Sequence, residues 1–250
     1  MKPRPILAVV AALAVATTLS CKRHHGGGGD AVVAPAVEIS YAPKGSTPPV
    51  VMTLNIGMTE NVALSAMQAM YAKVVTANQG LWNVTEGQVR IGRVRFMDNT
   101  HPGSKSNQYG SLDLSAVDIL VWAPADFNGP GISYVIVPGG RNGHFMGLPS
   151  NVANTTFLHE LGHFTFVLSW PPGPVLIDEY NTLPEDNACL MELTFSPLRW
   201  CGTDNHLSQS SQPRSCWSQI LLDNPAFTYS FTNTAPAPPP DPAVEYTDTP

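Results

Sequence analysis

His159, Glu160 and His163 stand in the pentapeptide His-Glu-Leu-Gly-His, the stretch of this chain with the most chemistry in it. On a helix, residues four apart share a face, so the two imidazoles can each present a ring nitrogen to one Zn²⁺. Glu160 then flanks a water at that ion and can serve as general base. Two ligands and a base are the core of a metal-dependent hydrolase, with a third ligand to come from elsewhere in the chain. A purely structural zinc site takes four protein ligands and has no use for a base, so Glu160 weighs toward catalysis.

The pentapeptide is short, and its surroundings decide how it is read. Ser150 or Asn151 can cap a helix. Phe157, Leu161, Phe164 and Leu168 fall at spacings of four, three and four, an apolar stripe on a different face from the histidines. One face is then expected to pack while the other looks into a cleft. The helix cannot continue through Trp170-Pro171-Pro172-Gly173-Pro174, because proline removes the amide donor and clashes with the preceding turn.

Positioning this helix requires the elements before it. Val50 to Ile56 has strand character, punctuated by Gly57, and a helix begins near Thr59. Val62, Ala66, Met70 and Val74 form its stripe, flanked by Ala63, Met67 and Tyr71, and its methionines read as core. Val89, Ile91, Val94 and Phe96 alternate with Arg90, Arg93 and Arg95, which makes a half-exposed strand with a slip near Gly92. Asp118 to Trp122 reads as a buried strand. Gly131 to Val137 and Gly143 to Leu148 are short β-like stretches, the second expected at a sheet edge where an extended peptide can pair with it, with Pro149 ending it. The order β-α-β-β-β-α, followed by a loop-rich half with a last helix over Ser215 to Leu222, defines an α+β chain with a twisted mixed β-sheet.

The ends carry different signals. Residues 1–20 combine a basic start with an apolar run from Ile6 to Leu19 and read as a secretory signal peptide. Cys21 directly after that run is the expected lipidation site of a bacterial envelope lipoprotein; the other reading is ordinary secretion. Residues 21–44 contain the Gly26–Gly29 run and read as a flexible tether, residues 45–230 as one domain, and residues 231–250 as a proline-rich disordered tail. With 43% hydrophobic residues and a formal net charge of −6, the chain can build a core and offers no basic field for nucleic acid. The expected partners are a peptide or protein substrate and, through the lipid anchor, a membrane. Export makes a disulfide reasonable among Cys189, Cys201 and Cys216, with Cys201 joined to Cys216 or to Cys189.

The downstream residues add a resemblance. His159 to His163, then Asp178-Glu179-Tyr180-Asn181, Cys189-Leu190-Met191-Glu192, Trp200-Cys201, Asn205-His206 and Ser215-Cys216-Trp217 together resemble the peptidase domain of the calcium-activated chloride channel regulator family and its bacterial relatives, a metzincin-like group. The resemblance covers roughly residues 45–225 and implies Zn²⁺ as cofactor, Asp178 as third ligand and Met191 as the Met-turn beneath the metal. His163 to Asp178 spans fifteen positions, about eight more than the family's usual reach, and the extra residues are turn formers of the kind that lengthen a surface loop at little entropic cost. Glu179 is the neighbouring alternative ligand or a carboxylate supporting a histidine, and His206 is the further imidazole that can serve near the cleft. Glu185 or Glu192 would be preferred only if the ligand lay on a following helix, against which Pro184 and Glu185-Asp186-Asn187 argue.

Together these residues describe an exported zinc-dependent endopeptidase that hydrolyses peptide bonds with a zinc-activated water and Glu160 as base. The alternative is a non-catalytic surface lipoprotein that uses the same fold as a binding or envelope-structural module.

Overall fold

Alternating apolar residues build the first strand, β1 (Val50–Met58), in which Val50, Met52, Leu54, Ile56 and Met58 all point into the core. The computed structural model describes residues 38–127, 134–136, 140–166, 189–191, 199–202, 215–230 and 237–247. β1 continues through Gly57, where the sequence pattern predicts its end. A side chain at Gly57 would press on Thr100 Oγ1 and Val117 Cγ1, both 2.9 Å from the place of a Cβ, so the glycine lets the neighbouring loop close over the strand.

The first helix, α1 (Leu64–Val84), starts later than Thr59. Its buried face is Met67, Met70, Val74, Ala77, Asn78, Leu81 and Val84, rotated from the expected stripe, which included the exposed Ala66. Positive φ at Glu86 (53°) and Gly87 (82°) ends the helix and turns the chain into β2 (Val89–Met97). β2 lies parallel to β1, and the register shifts between Met52 and Thr53, opposite Gly92. The extra residue at Gly92 keeps Val89, Ile91, Val94 and Phe96 all fully buried, as the sequence pattern required.

β3 (Ile119–Trp122) is buried along its whole length because it is covered on both faces. Ile119 and Val121 join the main core, while Leu120 and Trp122 join a smaller cluster with Leu114, Val117, Phe127 and Phe145. β4 (Tyr134–Ile136) and β5 (Phe145–Pro149) follow, and the second helix, α2 (Asn154–Thr165), carries the motif. The six-stranded sheet has the order β4-β5-β3-β1-β2-β6, with β4 antiparallel to β5 and every other pair parallel.

Three expectations are corrected here. β5 is an inner strand, paired to β3 on one side and β4 on the other, and among the described residues β4 is the outermost strand on that side. The apolar run Phe145-Met146-Gly147-Leu148 is buried throughout, which suits an inner strand and not an edge. Neither Ser150 nor Asn151 caps α2; the cap position is Ala153, because the Ser150 amide donates to Trp122 O at 2.8 Å and so extends the strand ladder. The tail, finally, is not devoid of structure: β6 (Ala243–Thr247) pairs parallel to β2. Ahead of β6, Tyr71 Oη donates to Pro242 O at 2.6 Å and Trp82 Nε1 to Ala237 O at 2.5 Å, so carbonyls of the proline-rich run are held by side chains of α1. Proline lacks a donor but keeps its acceptor, which is what this contact uses. At the other end, buried Ala42 donates its amide to Thr165 O at 2.8 Å, so the folded unit reaches past both of the expected limits, 45 and 230.

α1 and α2 meet at Gly80. A Cβ there would lie 2.4 Å from Leu158 Cδ2 and within 3.3 Å of two further Leu158 carbons. Gly80→Ala would gain about 1 kcal/mol of helix propensity, and overpacking costs about 1–3 kcal/mol, so a net loss of stability is expected in urea unfolding. In a Leu158→Ala background the same change should become neutral or stabilising. Equal effects in the two backgrounds would show that the helices do not meet there.

Candidate metal centre

α2 delivers His159, Glu160 and His163 because its opposite side is apolar: Phe157, Leu161 and Phe164 are fully buried. Each such side chain contributes about 1.5–3 kcal/mol on burial, enough to fix the helix's rotation. Leu168, the last residue of the expected stripe, lies outside the described residues. His159 and Glu160 are each only 4% exposed, while His163 is half-buried, so the pair runs from the interior toward the surface.

The His159 ring is tethered. Its Nδ1 lies 2.7 Å from Leu190 O, a carbonyl that can only accept, so Nδ1 carries the proton and Nε2 is left with its lone pair. That Nε2 stands 3.2 Å from His163 Nε2, with the two rings inclined at 76°. Two nitrogens each about 2.0–2.1 Å from a tetrahedral zinc are about 3.3 Å apart. The two nitrogens are thus already spaced as a zinc ion would hold them, and the carbonyl tether is the usual support for a histidine ligand.

Met191 lies under the helix. It is fully buried, and its Sδ would be 3.3 Å from a Cβ at Gly162, with Trp200 Cζ2 at 3.4 Å and Nε1 at 3.5 Å. Gly162, between the two histidines, is what lets the thioether and the indole come this close. Beneath them is an aromatic floor: Trp200 meets Phe166 edge-on at 5.2 Å and Trp217 at 6.1 Å, and Trp217 stacks on Tyr229 at 4.7 Å. This floor supplies rigidity.

Asp178, Glu179, Glu185, Glu192, His206 and Cys21 lie outside the described residues. Cys189, Cys201 and Cys216 are described and all buried, and no disulfide joins them, so neither expected pairing is formed in this structure. Cys216 opens α3 (Cys216–Asp223), which is capped by Ser215, whose Oγ accepts from the Ser218 amide at 3.1 Å, close to the expected start.

Two supporting groups escaped the sequence reading. The Leu190 carbonyl belongs to the backbone, and backbone acceptors leave no residue-type signal, although its place beside Met191 was a hint. His144 is 2% exposed, with Nε2 3.1 Å from Phe164 O and its ring between Tyr41 and Phe164. Burial pushes its pKa down, so it remains neutral and braces the side of α2 away from the histidine pair.

No family model and no curated protein matches the chain. Among solved structures it is similar to metalloproteinase-II from Bacteroides fragilis, at 16% identity and a TM-score of 0.40, over 76% of this chain and 57% of that one. The chain thus spans less than two thirds of that protein's length. At this distance no residue is assigned by the likeness, and the centre has to be argued from its own geometry.

Proposed function

We propose that the chain is a zinc-dependent endopeptidase of metzincin type, exported and anchored through Cys21. The observation that carries this reading is the pair of Nε2 atoms 3.2 Å apart, one of them with its tautomer fixed by Leu190 O, next to an almost buried glutamate. His159 and His163 would hold the ion, with Asp178 as third ligand and Met191 packed below. Zinc so held would polarise the scissile carbonyl and acidify water. Glu160 would take the proton of the attacking water and hand it to the leaving amine, and its low exposure keeps bulk water from competing for that proton. The outer edge of β4 is the place where an extended peptide would pair with the sheet, which gives affinity through main-chain hydrogen bonds with limited side-chain selectivity.

The purified protein should bind zinc and cleave an unfolded protein substrate, lose cleavage on chelation and regain it with added Zn²⁺. Zinc binding with no cleavage of any substrate would favour the non-catalytic binding module. Asp178→Ala is expected to weaken zinc at least about 10–100-fold, the range seen when even a group supporting a ligand is lost. Unchanged affinity in a competition titration would move the third-ligand role to Glu179 or His206.

A further inference from the structure

Cys189, Cys201 and Cys216 come from three separate segments of the loop-rich half, yet their sulfurs all lie within 4.8 Å of one another. All three residues are buried, at 1, 1 and 3% exposure. Cys189 Sγ and Cys216 Sγ are 3.6 Å apart. A disulfide holds its sulfurs at about 2.05 Å, whereas two thiolates on a tetrahedral ion with bonds of about 2.3 Å stand about 3.8 Å apart. The observed separation is too long for a disulfide and lies close to the second arrangement.

The surrounding donors agree. The Cys201 amide donates to Cys189 Sγ at 3.3 Å and the Cys216 amide to Cys201 Sγ at 3.2 Å. Backbone N–H groups aimed at sulfur favour thiolate over thiol, as they do for any anion. The amides that open α3 are taken up in the same knot, Cys216 N–H by Cys201 Sγ and Trp217 N–H by Cys201 O. Burial works against a charged Cys189, but hydrogen bonds from the Cys201 and Cys216 thiols and from the Met191 and Cys201 amides hold it well below the usual thiol range. Cys216, by contrast, is held well above the usual thiol range by its hydrogen bonds to the Cys189 and Cys201 sulfurs and by burial, so its proton would leave only as an ion binds.

We propose that Cys189, Cys201 and Cys216 form a second metal centre, separate from the histidine pair, that takes one thiophilic d¹⁰ cation. Soft thiolates select Zn²⁺ and Cu⁺ among the ions a cell offers, and binding would release the thiol protons. Three sulfurs complete a Cu⁺ site; Zn²⁺ would add a fourth donor. The role is structural. The centre joins the turn of Cys189, Leu190 and Met191 to the Trp200–Cys201 segment and the start of α3, and the Leu190 amide donates to Arg199 O at 2.6 Å within the same knot. Because Leu190 O holds His159 and Met191 lies under Gly162, an ion here would fix the support of the histidine centre from behind.

The test separates the two centres by using the full chain with His159→Ala and His163→Ala together. That variant should still retain one equivalent of Zn²⁺ or Cu⁺ in native mass spectrometry. Its Co²⁺ form should show sulfur-to-cobalt charge-transfer absorption, lost in a further Cys201→Ser variant. In the otherwise unchanged protein, the three thiols should resist alkylation until a chelator is added, a readout that does not depend on any cysteine variant folding. An intact mass lower by two hydrogens, with only one of these three cysteines still a thiol, would overturn the proposal in favour of a disulfide, and so would a double-histidine variant that holds no metal and gives no charge-transfer band.

Discussion

Glu160→Gln should reduce kcat/KM for a peptide substrate by about 10²–10⁴-fold, the range for loss of a positioned general base, while leaving zinc stoichiometry unchanged. Glutamine keeps the shape, the helix propensity and one oxygen at the same place, so α2 and its buried face are not disturbed. What it lacks is basicity. The imidazole of His159 keeps its orientation, since its Nδ1 is held by Leu190 O. Activity and metal content measured on the same preparation therefore distinguish the possibilities. Loss of both would place Glu160 in a structural role or among the ligands, and full activity with full metal would end its assignment as the base. His159→Ala should give the opposite combination, losing metal and activity together, because it removes a ligand and leaves the Leu190 carbonyl unpaired in a buried position.

The parts of the fold written in side-chain periodicity were legible. The strand with a slip at Gly92, the buried β3 and the helix beginning at Ser215 all appear close to where their patterns put them. The histidine pair was legible because spacing on a helix is a local property. What could not be read was set by long-range pairing. Whether Phe145–Pro149 is an edge or an inner strand depends on β4 and β3, which nothing in its own residues specifies beyond their apolar character. β6 was missed because proline-rich composition argues for an extended chain, and β6 is extended; only its partner, β2, makes it a strand. The cysteines were read as a disulfide because export makes one chemically reasonable, and composition cannot tell a pair of sulfurs from a cluster of three.

The network around Asp118 was equally invisible in the sequence, and its removal should have the largest effect on stability. Asp118 is fully buried and accepts from Arg141 Nη2 at 2.8 Å, Asn142 Nδ2 at 3.2 Å and the Asn55 amide at 2.8 Å. Arg141 Nη2 also reaches Thr53 O at 3.0 Å, and the Arg141 amide donates to Val117 O at 3.0 Å. One carboxylate thus locks β1, β3 and the turn before β5 together, and β5 leads directly into α2. Asp118→Ala would leave a strand amide without its acceptor in the interior and the half-buried guanidinium without its charged partner. Breaking a buried pair from one side costs about 3–5 kcal/mol, a large share of the roughly 5–15 kcal/mol that holds a domain together. Asp118→Asn keeps an oxygen and the shape but loses the charge, so its cost should fall nearer the 1.5–3 kcal/mol of a charge-assisted hydrogen bond. Urea unfolding of metal-free protein measures both, and working without zinc keeps ligand binding from masking the loss. A cost below about 1 kcal/mol for Asp118→Ala would mean that Arg141 finds full compensation in Glu38, whose Oε2 lies 3.9 Å from its Nη1. That outcome is disfavoured by geometry, because Glu38 already holds Arg95 with two hydrogen bonds, at 2.6 and 2.7 Å.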